Sequence, residues 1–187
     1  MEIIALSDQE LLALLIGEKT AKKLYGGSLF PLAFGAEDKA PNRKLRASVE
    51  FAKRLMREKL YRGPALQSPK EVTEYLSAHF LGREYEAFVV VLLDTRHRVL
   101  AIEEMFRGTI DGATVYPREV AYAVLRHKAA ACIFAHNHPS GLAEPSLADQ
   151  AITRRLKDAL SVIDIRVLDH FVIAGTEVVS FAERGLI

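Results

Sequence analysis

Residues 136–149 read His-Asn-His-Pro-Ser-Gly-Leu-Ala-Glu-Pro-Ser-Leu-Ala-Asp. His136 and His138 follow an apolar run, and in an extended backbone their side chains leave on the same side because the strand repeat is two residues. Both imidazoles can then lean toward one ion. Pro139, Gly141 and Pro145 stiffen the turn that follows, and Pro145-Ser146 opens a helix with Asp149 one turn in. From there the Asp149 carboxylate can close back on the two histidines as a third ligand, at the ~2.0–2.2 Å usual for zinc and oxygen. Two nitrogens, one oxygen and an open position make a catalytic rather than a structural ligand set. The plain alternative is an ordinary polar turn. Against it, a strand end, a constrained turn and a capped helix converge here for no evident packing purpose.

The elements that must position these residues are readable from periodicity. Glu86 to Asp94 is a buried strand, Arg98 to Ile102 a second, and Thr95-Arg96-His97 the turn between them, so the two are antiparallel. A helix opens at Pro117-Arg118-Glu119 and runs to about His127, and Ala-Ala-Ala-Cys-Ile-Phe-Ala is a short strand that delivers His136. A helix from Ser146 to Leu160 follows, then short strands at 165–168, 171–173 and 178–181. This is a mixed central sheet with flanking helices, an α/β (α+β) domain of about 120 residues.

Upstream, Ser7 caps a helix with Glu10 three residues on and a stop at Gly17. Residues 26 to 42 read as irregular because glycines and prolines interrupt every period, and a helix resumes from Arg43 to Leu60. Tyr61 to Pro69 is a linker, with Ser68-Pro69 opening another helix. The boundary near residues 62 to 67 divides a helical N-terminal region, 1–63, from the main domain, 66–187.

Composition narrows the function classes. The 25 Lys and Arg against 24 Asp and Glu leave a formal charge of +1, so no global field draws the chain to a phosphate backbone. Cys132 is the single cysteine, which excludes an intrachain disulfide and a thiolate-built zinc site and suits a reducing cytoplasm. No apolar run approaches the ~20 residues that span a bilayer, and the start lacks the basic end of a signal peptide. The expectation is a cytoplasmic protein with no membrane partner; oligomeric state is not legible.

The spacing His136-x-His138-Pro139, then Ser146-x-x-Asp149, resembles the zinc signature of the JAMM or MPN-plus metalloproteases. Phe106-Arg107-Gly108-Thr109, Pro117-Arg118-Glu119, His136 to Gly141 and Leu168-Asp169-His170 together resemble the RadC (UPF0758) proteins, over about residues 66 to 183. The resemblance implies a JAMM/MPN fold similar to that of the cytidine deaminases, and one zinc ion per chain on His136, His138 and Asp149. It also implies a glutamate beside the zinc-bound water, matched to Glu103, with Glu104 on the opposite strand face as the local competitor. Zinc would lower the pKa of that water toward ~7 and polarise a peptide or isopeptide carbonyl, while Glu103 moves the proton. The serine of the family matches Ser146, whose two readings are donor to the oxyanion and helix cap.

Four further residues have paired readings. Asn137 pins the turn or meets substrate; Arg118 pairs with Glu119 or with a substrate carboxylate; Asp169 and His170 add a relay, or His170 is a hydrogen-bonded structural histidine. RadC relatives carry a helix-hairpin-helix-like module near the N-terminus, but residues 26 to 42 lack its Gly-x-Gly hairpin, so the module here is degenerate. The basic run from Arg43 to Arg62 is either a phosphate-facing stripe or a solvated helix face. Two function classes result: a zinc-dependent peptidase or isopeptidase-like hydrolase acting on a peptide or protein, and a DNA-associated repair or replication accessory protein with a structural or vestigial metal. Deamination of the usual kind is disfavoured, because no Pro-Cys-x-x-Cys pattern is present.

Overall fold

A computed structural model describes residues 3–34, 40–62, 69–108 and 115–187. The chain divides into two compact units, Met1–Leu55 and Met56–Ile187. The linker expected near residues 62 to 67, and the helix-opening Ser68, fall almost wholly on residues 63–68, outside the described residues.

In the first unit, α1 (Asp8–Ile16) begins as its capping residues dictate. Glu10 N–H donates to the Ser7 hydroxyl at 3.4 Å, and Ser7 N–H donates to the Glu10 carboxylate at 2.8 Å. The helix ends at Gly17, whose φ of 88° is open to glycine and strained for other residues. α2 (Glu18–Leu24) follows directly. Residues 26 to 42, expected to be irregular, contain α3 (Phe30–Phe34) and the first turn of α4 (Ala40–Arg62). The prolines that suggested a loop, Pro31 and Pro41, each sit second in a helix, where the missing N–H has no intrahelical partner to lose. Leu12, Ala21 and Leu45 form the buried centre of this unit, packed by Ile16, Tyr25, Leu29 and Leu32.

The second unit runs α5 (Pro69–Phe80), β1 (Glu86–Leu93), β2 (Val99–Gly108), α6 (Pro117–Arg126), β3 (Ala131–Asn137), α7 (Leu147–Ser161), β4 (Arg166–Ala174) and β5 (Glu177–Ser180). The strands form one sheet in the order β2-β1-β3-β4-β5, with β3 and β4 parallel and the other neighbours antiparallel. Among the described residues no helix is long and apolar enough to cross a membrane.

β1 explains why the sequence shows an unbroken apolar run instead of alternation. Ala87, Val89, Val91 and Leu93 enter the core beneath α5, whereas Phe88, Val90 and Leu92 enter the core beneath α6 and α7. β3 divides in the same way: Ile133 and Ala135 face the first core, Cys132 and Phe134 the second. His136 therefore leaves the strand on the face that α6 and α7 cover, and Asn137 leaves on the other.

Two expectations change. β2 is longer than Arg98 to Ile102, and Leu92 pairs with Ala101 while Leu93 pairs with Val99, so Leu100 is an extra, bulged residue. Val99 and Ala101 thus point to opposite faces, which simple alternation cannot foresee. The two strands expected at 165–168 and 171–173 are one strand, β4, because the polar pair Asp169-His170 that suggested a break is buried and hydrogen-bonded inside it.

Phe134 joins the core to the end of the sheet that carries His136. It is fully buried, with ring contacts to Phe88 at 5.5 Å and His170 at 5.9 Å. Phe134→Ala should destabilise the unit by about 3–5 kcal/mol, read as a lower urea midpoint followed by circular dichroism. A shift below about 1 kcal/mol would show that the site end of the sheet does not depend on this core.

Candidate metal centre

His136 is the penultimate residue of β3, and the backbone N–H of His138 donates to the Ile173 carbonyl at 2.8 Å, continuing the pairing with β4 past the strand end. The chain then turns: Gly141 N–H donates to the His138 carbonyl at 3.2 Å, and Gly141 has a φ of 84°, which a side chain would strain. Ser146 caps α7. Its hydroxyl accepts from Asp149 N–H at 3.1 Å, and the Asp149 Oδ2 atom accepts from Ser146 N–H at 2.7 Å and from the Ser146 hydroxyl at 2.6 Å. This reciprocal cap fixes both the start of the helix and the orientation of the carboxylate.

The three side chains meet. His136 Nε2 lies 3.0 Å from His138 Nε2 and 3.2 Å from Asp149 Oδ1, and His138 Nε2 lies 3.5 Å from Asp149 Oδ2. His136 and Asp149 are almost wholly buried, and His138 forms the outer edge. The three ligand atoms lie within 4.8 Å of one another, close enough to hold a metal ion.

The hydrogen bonds behind the rings show whether the donor set suits a cation. His138 Nδ1 faces the Leu142 carbonyl at 2.7 Å, and since a carbonyl only accepts, Nδ1 carries the proton. His136 Nδ1 faces His170 Nε2 at 2.8 Å. His138 in its neutral form therefore turns a bare Nε2 lone pair toward the carboxylate, and His136 does the same when its Nδ1 is the donor to His170. Three electron-rich atoms around one point repel unless a positive charge lies among them, and either a proton on His138 or a metal ion supplies it. The set fits zinc, which takes nitrogen and carboxylate oxygen together.

The ionisation of these groups follows. The hydrogen bond to Asp149 is the main cause that holds the His138 pKa above its ordinary value, against burial, with help from the Leu142 carbonyl and the charges of Asp149 and Glu86. Burial pushes Asp149 upward, but the adjoining imidazoles of His136 and His138, with the Ser146 hydroxyl, outweigh burial and hold the carboxyl far below the usual range. Complete burial holds His170 well below the ordinary histidine value, so it is neutral. Burial pushes the Cys132 thiol up to about 12, which makes it an apolar core group and not a nucleophile.

The remaining residues singled out by sequence are dispersed. Glu103 lies opposite Val90, whose other neighbour is Phe134, so it shares the sheet face of His136. Its carboxylate pairs with Arg126 and His127 at the end of α6. Burial raises the Glu103 pKa, but the hydrogen bonds from His127 and Arg126 outweigh it and the net direction is down. Glu104 is on the opposite face, paired with Arg83. Arg118 is exposed, stacks over Tyr116 at 4.6 Å and pairs with Glu119 at 3.2 Å. Asp169 is buried and accepts from His170 N–H at 2.7 Å, the Ser180 hydroxyl at 2.6 Å and Ala182 N–H at 2.9 Å, which pins the chain after β5 to β4.

Sequence reasoning missed Glu86. β1 and β3 pair Phe88 with His136, so two residues earlier on β1 and two later on β3 set Glu86 and His138 on the same face and at the same level. Asn137 fixes that position from the other face: its Nδ2 donates to the Tyr85 carbonyl at 2.9 Å and its Oδ1 accepts from Ala87 N–H at 2.8 Å, which clamps the peptide groups on both sides of Glu86. The signal in the sequence was the first residue of a buried strand, but only the β1–β3 register brings it to the histidines.

Because folding raises the His138 pKa, the folded protein binds that proton more tightly than the unfolded chain. The stabilisation is full below about pH 6.5 and is lost as the pH rises through the higher folded value. In chelator-treated protein the urea midpoint should therefore fall as the pH is raised above about 6.5, and Asp149→Asn should flatten that limb. Parallel limbs in the two proteins would contradict the pairing.

A family model described as RadC-like JAB domain matches residues 66–186. The chain is 48% identical to a UPF0758 protein from Nitrosomonas europaea over 98% of its own length and 90% of the relative's. It is 50% identical to one from Thioalkalivibrio sulfidiphilus at the same coverage, and 55% identical to one from Nitrosomonas eutropha over 77% of this chain and 64% of that relative. With the mixed sheet and the His136, His138 and Asp149 cluster in view, the chain belongs to the RadC family of JAB-domain proteins.

Proposed function

We propose that this protein is a zinc-dependent hydrolase of peptide or isopeptide bonds, with Glu86 as the residue that moves the proton. The observation that supports it most is the convergence of two imidazole Nε2 atoms and a carboxylate oxygen, each side chain held by a hydrogen bond from behind. Zinc held there supplies Lewis acidity toward a carbonyl oxygen and toward the attacking water.

The chain's own residues account for the other parts. His136 and Asp149, buried and braced, set the floor of the site, and His138 borders its open side. Glu86, at the level of His138 and clamped by Asn137, takes a proton from the attacking water and returns it to the leaving amine, a transfer worth about 10²–10⁴-fold in rate. Ser146 holds Asp149 in place, and its proton reaches an oxyanion only in exchange for that bond. Glu103, engaged by Arg126 and His127, is the competing proton carrier. The second reading, a DNA-associated accessory protein, draws on the basic residues of α4 and would show as salt-dependent DNA binding.

Elemental mass spectrometry on untagged protein should give about one zinc per wild-type chain and a clear loss in His138→Ala. In a peptide-library screen, Glu86→Gln should lower hydrolysis about 10²-fold or more with zinc retained, while Glu103→Gln stays within a few-fold of wild type. The reverse order would return the role to Glu103. Wild-type protein that carries no metal and takes up none would sink the hydrolase reading.

A further inference from the structure

We propose that Thr153 and His170 are positioning residues that set the tautomer of His136 and so aim its Nε2 lone pair into the cluster; this rests on the reading of that cluster as a metal centre. Thr153 lies on α7 one turn beyond Asp149, and His170 lies on β4 directly beside Phe134. Both are almost completely buried, so no solvent competes for their polar atoms.

The chain of bonds has one consistent direction. The Thr153 hydroxyl lies 2.5 Å from the Asp149 carbonyl, which can only accept, so the single hydroxyl proton points there. The Thr153 oxygen then accepts from His170 Nδ1 at 2.6 Å, which places the His170 proton on Nδ1 and leaves Nε2 as an acceptor. His170 Nε2 in turn accepts from His136 Nδ1 at 2.8 Å. The His136 Nε2 atom is left bare, 3.2 Å from Asp149 Oδ1.

The opposite direction fails at the Thr153 end. A Thr153 proton on His170 would set two oxygens 2.5 Å apart with no hydrogen between them. It would also place a proton on His136 Nε2, where the metal reading needs a lone pair. A backbone carbonyl on α7 thus decides, through two side chains, which nitrogen of a histidine on β3 can ligate. Asp149 contributes twice, by its carboxylate to the cluster and by its carbonyl to the orientation of the neighbouring ligand.

The test uses the full chain with nitrogen-15-labelled histidine, metal-free at mildly alkaline pH. Long-range proton–nitrogen spectra should show His170 and His136 with the proton on Nδ1. Thr153→Val, close in shape, should let His170 populate the Nε2–H form and weaken zinc binding, measured against a competing indicator, by about 10–100-fold. Thr153→Ser should restore both, and circular dichroism should show all three proteins folded. A wild-type His136 with its proton on Nε2 overturns the proposal whatever the variants do, as does Thr153→Val with unchanged zinc affinity. Wild-type tautomers as stated in a protein that takes up no zinc would support the relay and overturn the metal reading of the cluster.

Discussion

Three electron-rich atoms at one point are costly to hold together, and the second unit is organised to do so. The two imidazole nitrogens come from one strand end and the carboxylate from the first turn of a helix, so no single local structure could assemble them. The cohesion comes from elsewhere: β1 and β3 contribute to two hydrophobic cores at once, and parallel pairing with β4 fixes where β3 ends. Burial of this apolar surface offsets the strain of an arrangement whose members would otherwise move apart.

Behind the cluster, polar groups are bonded with little left over. The Leu142 carbonyl orients His138, the Ser146 cap orients Asp149, and the pair His170 and Thr153 orients His136. Among the described residues no buried side-chain nitrogen or oxygen lacks a partner. Such a network is rigid because each member has one satisfactory arrangement, and removal of one leaves the next unsatisfied in a medium of low dielectric. Asn137 extends the same logic to the opposite face, where it ties the start of β1 to the end of β3.

Much of this was legible before any coordinates. The turn residues, the Ser146 cap and the period-two spacing of His136 and His138 announce the cluster, and the apolar runs announce β1 and β3, because these features are local. What was not legible depends on register. Glu86 is an unremarked strand opening until β1 is slid against β3 and Phe88 meets His136. The bulge at Leu100 and the continuity of β4 through Asp169 and His170 arise from pairing with neighbouring strands, which no single segment encodes. In the first unit the prolines misled because Pro31 and Pro41 mark helix starts as readily as loops.

Asp149 and Thr153 lie four residues apart on α7, so one helix face carries both a ligand and the group that orients a ligand on another element. A rotation of α7 by one residue, about 100°, would remove both together. The parts of the cluster are scattered over two strands and a helix, yet the phase of one rigid element sets two of them at once.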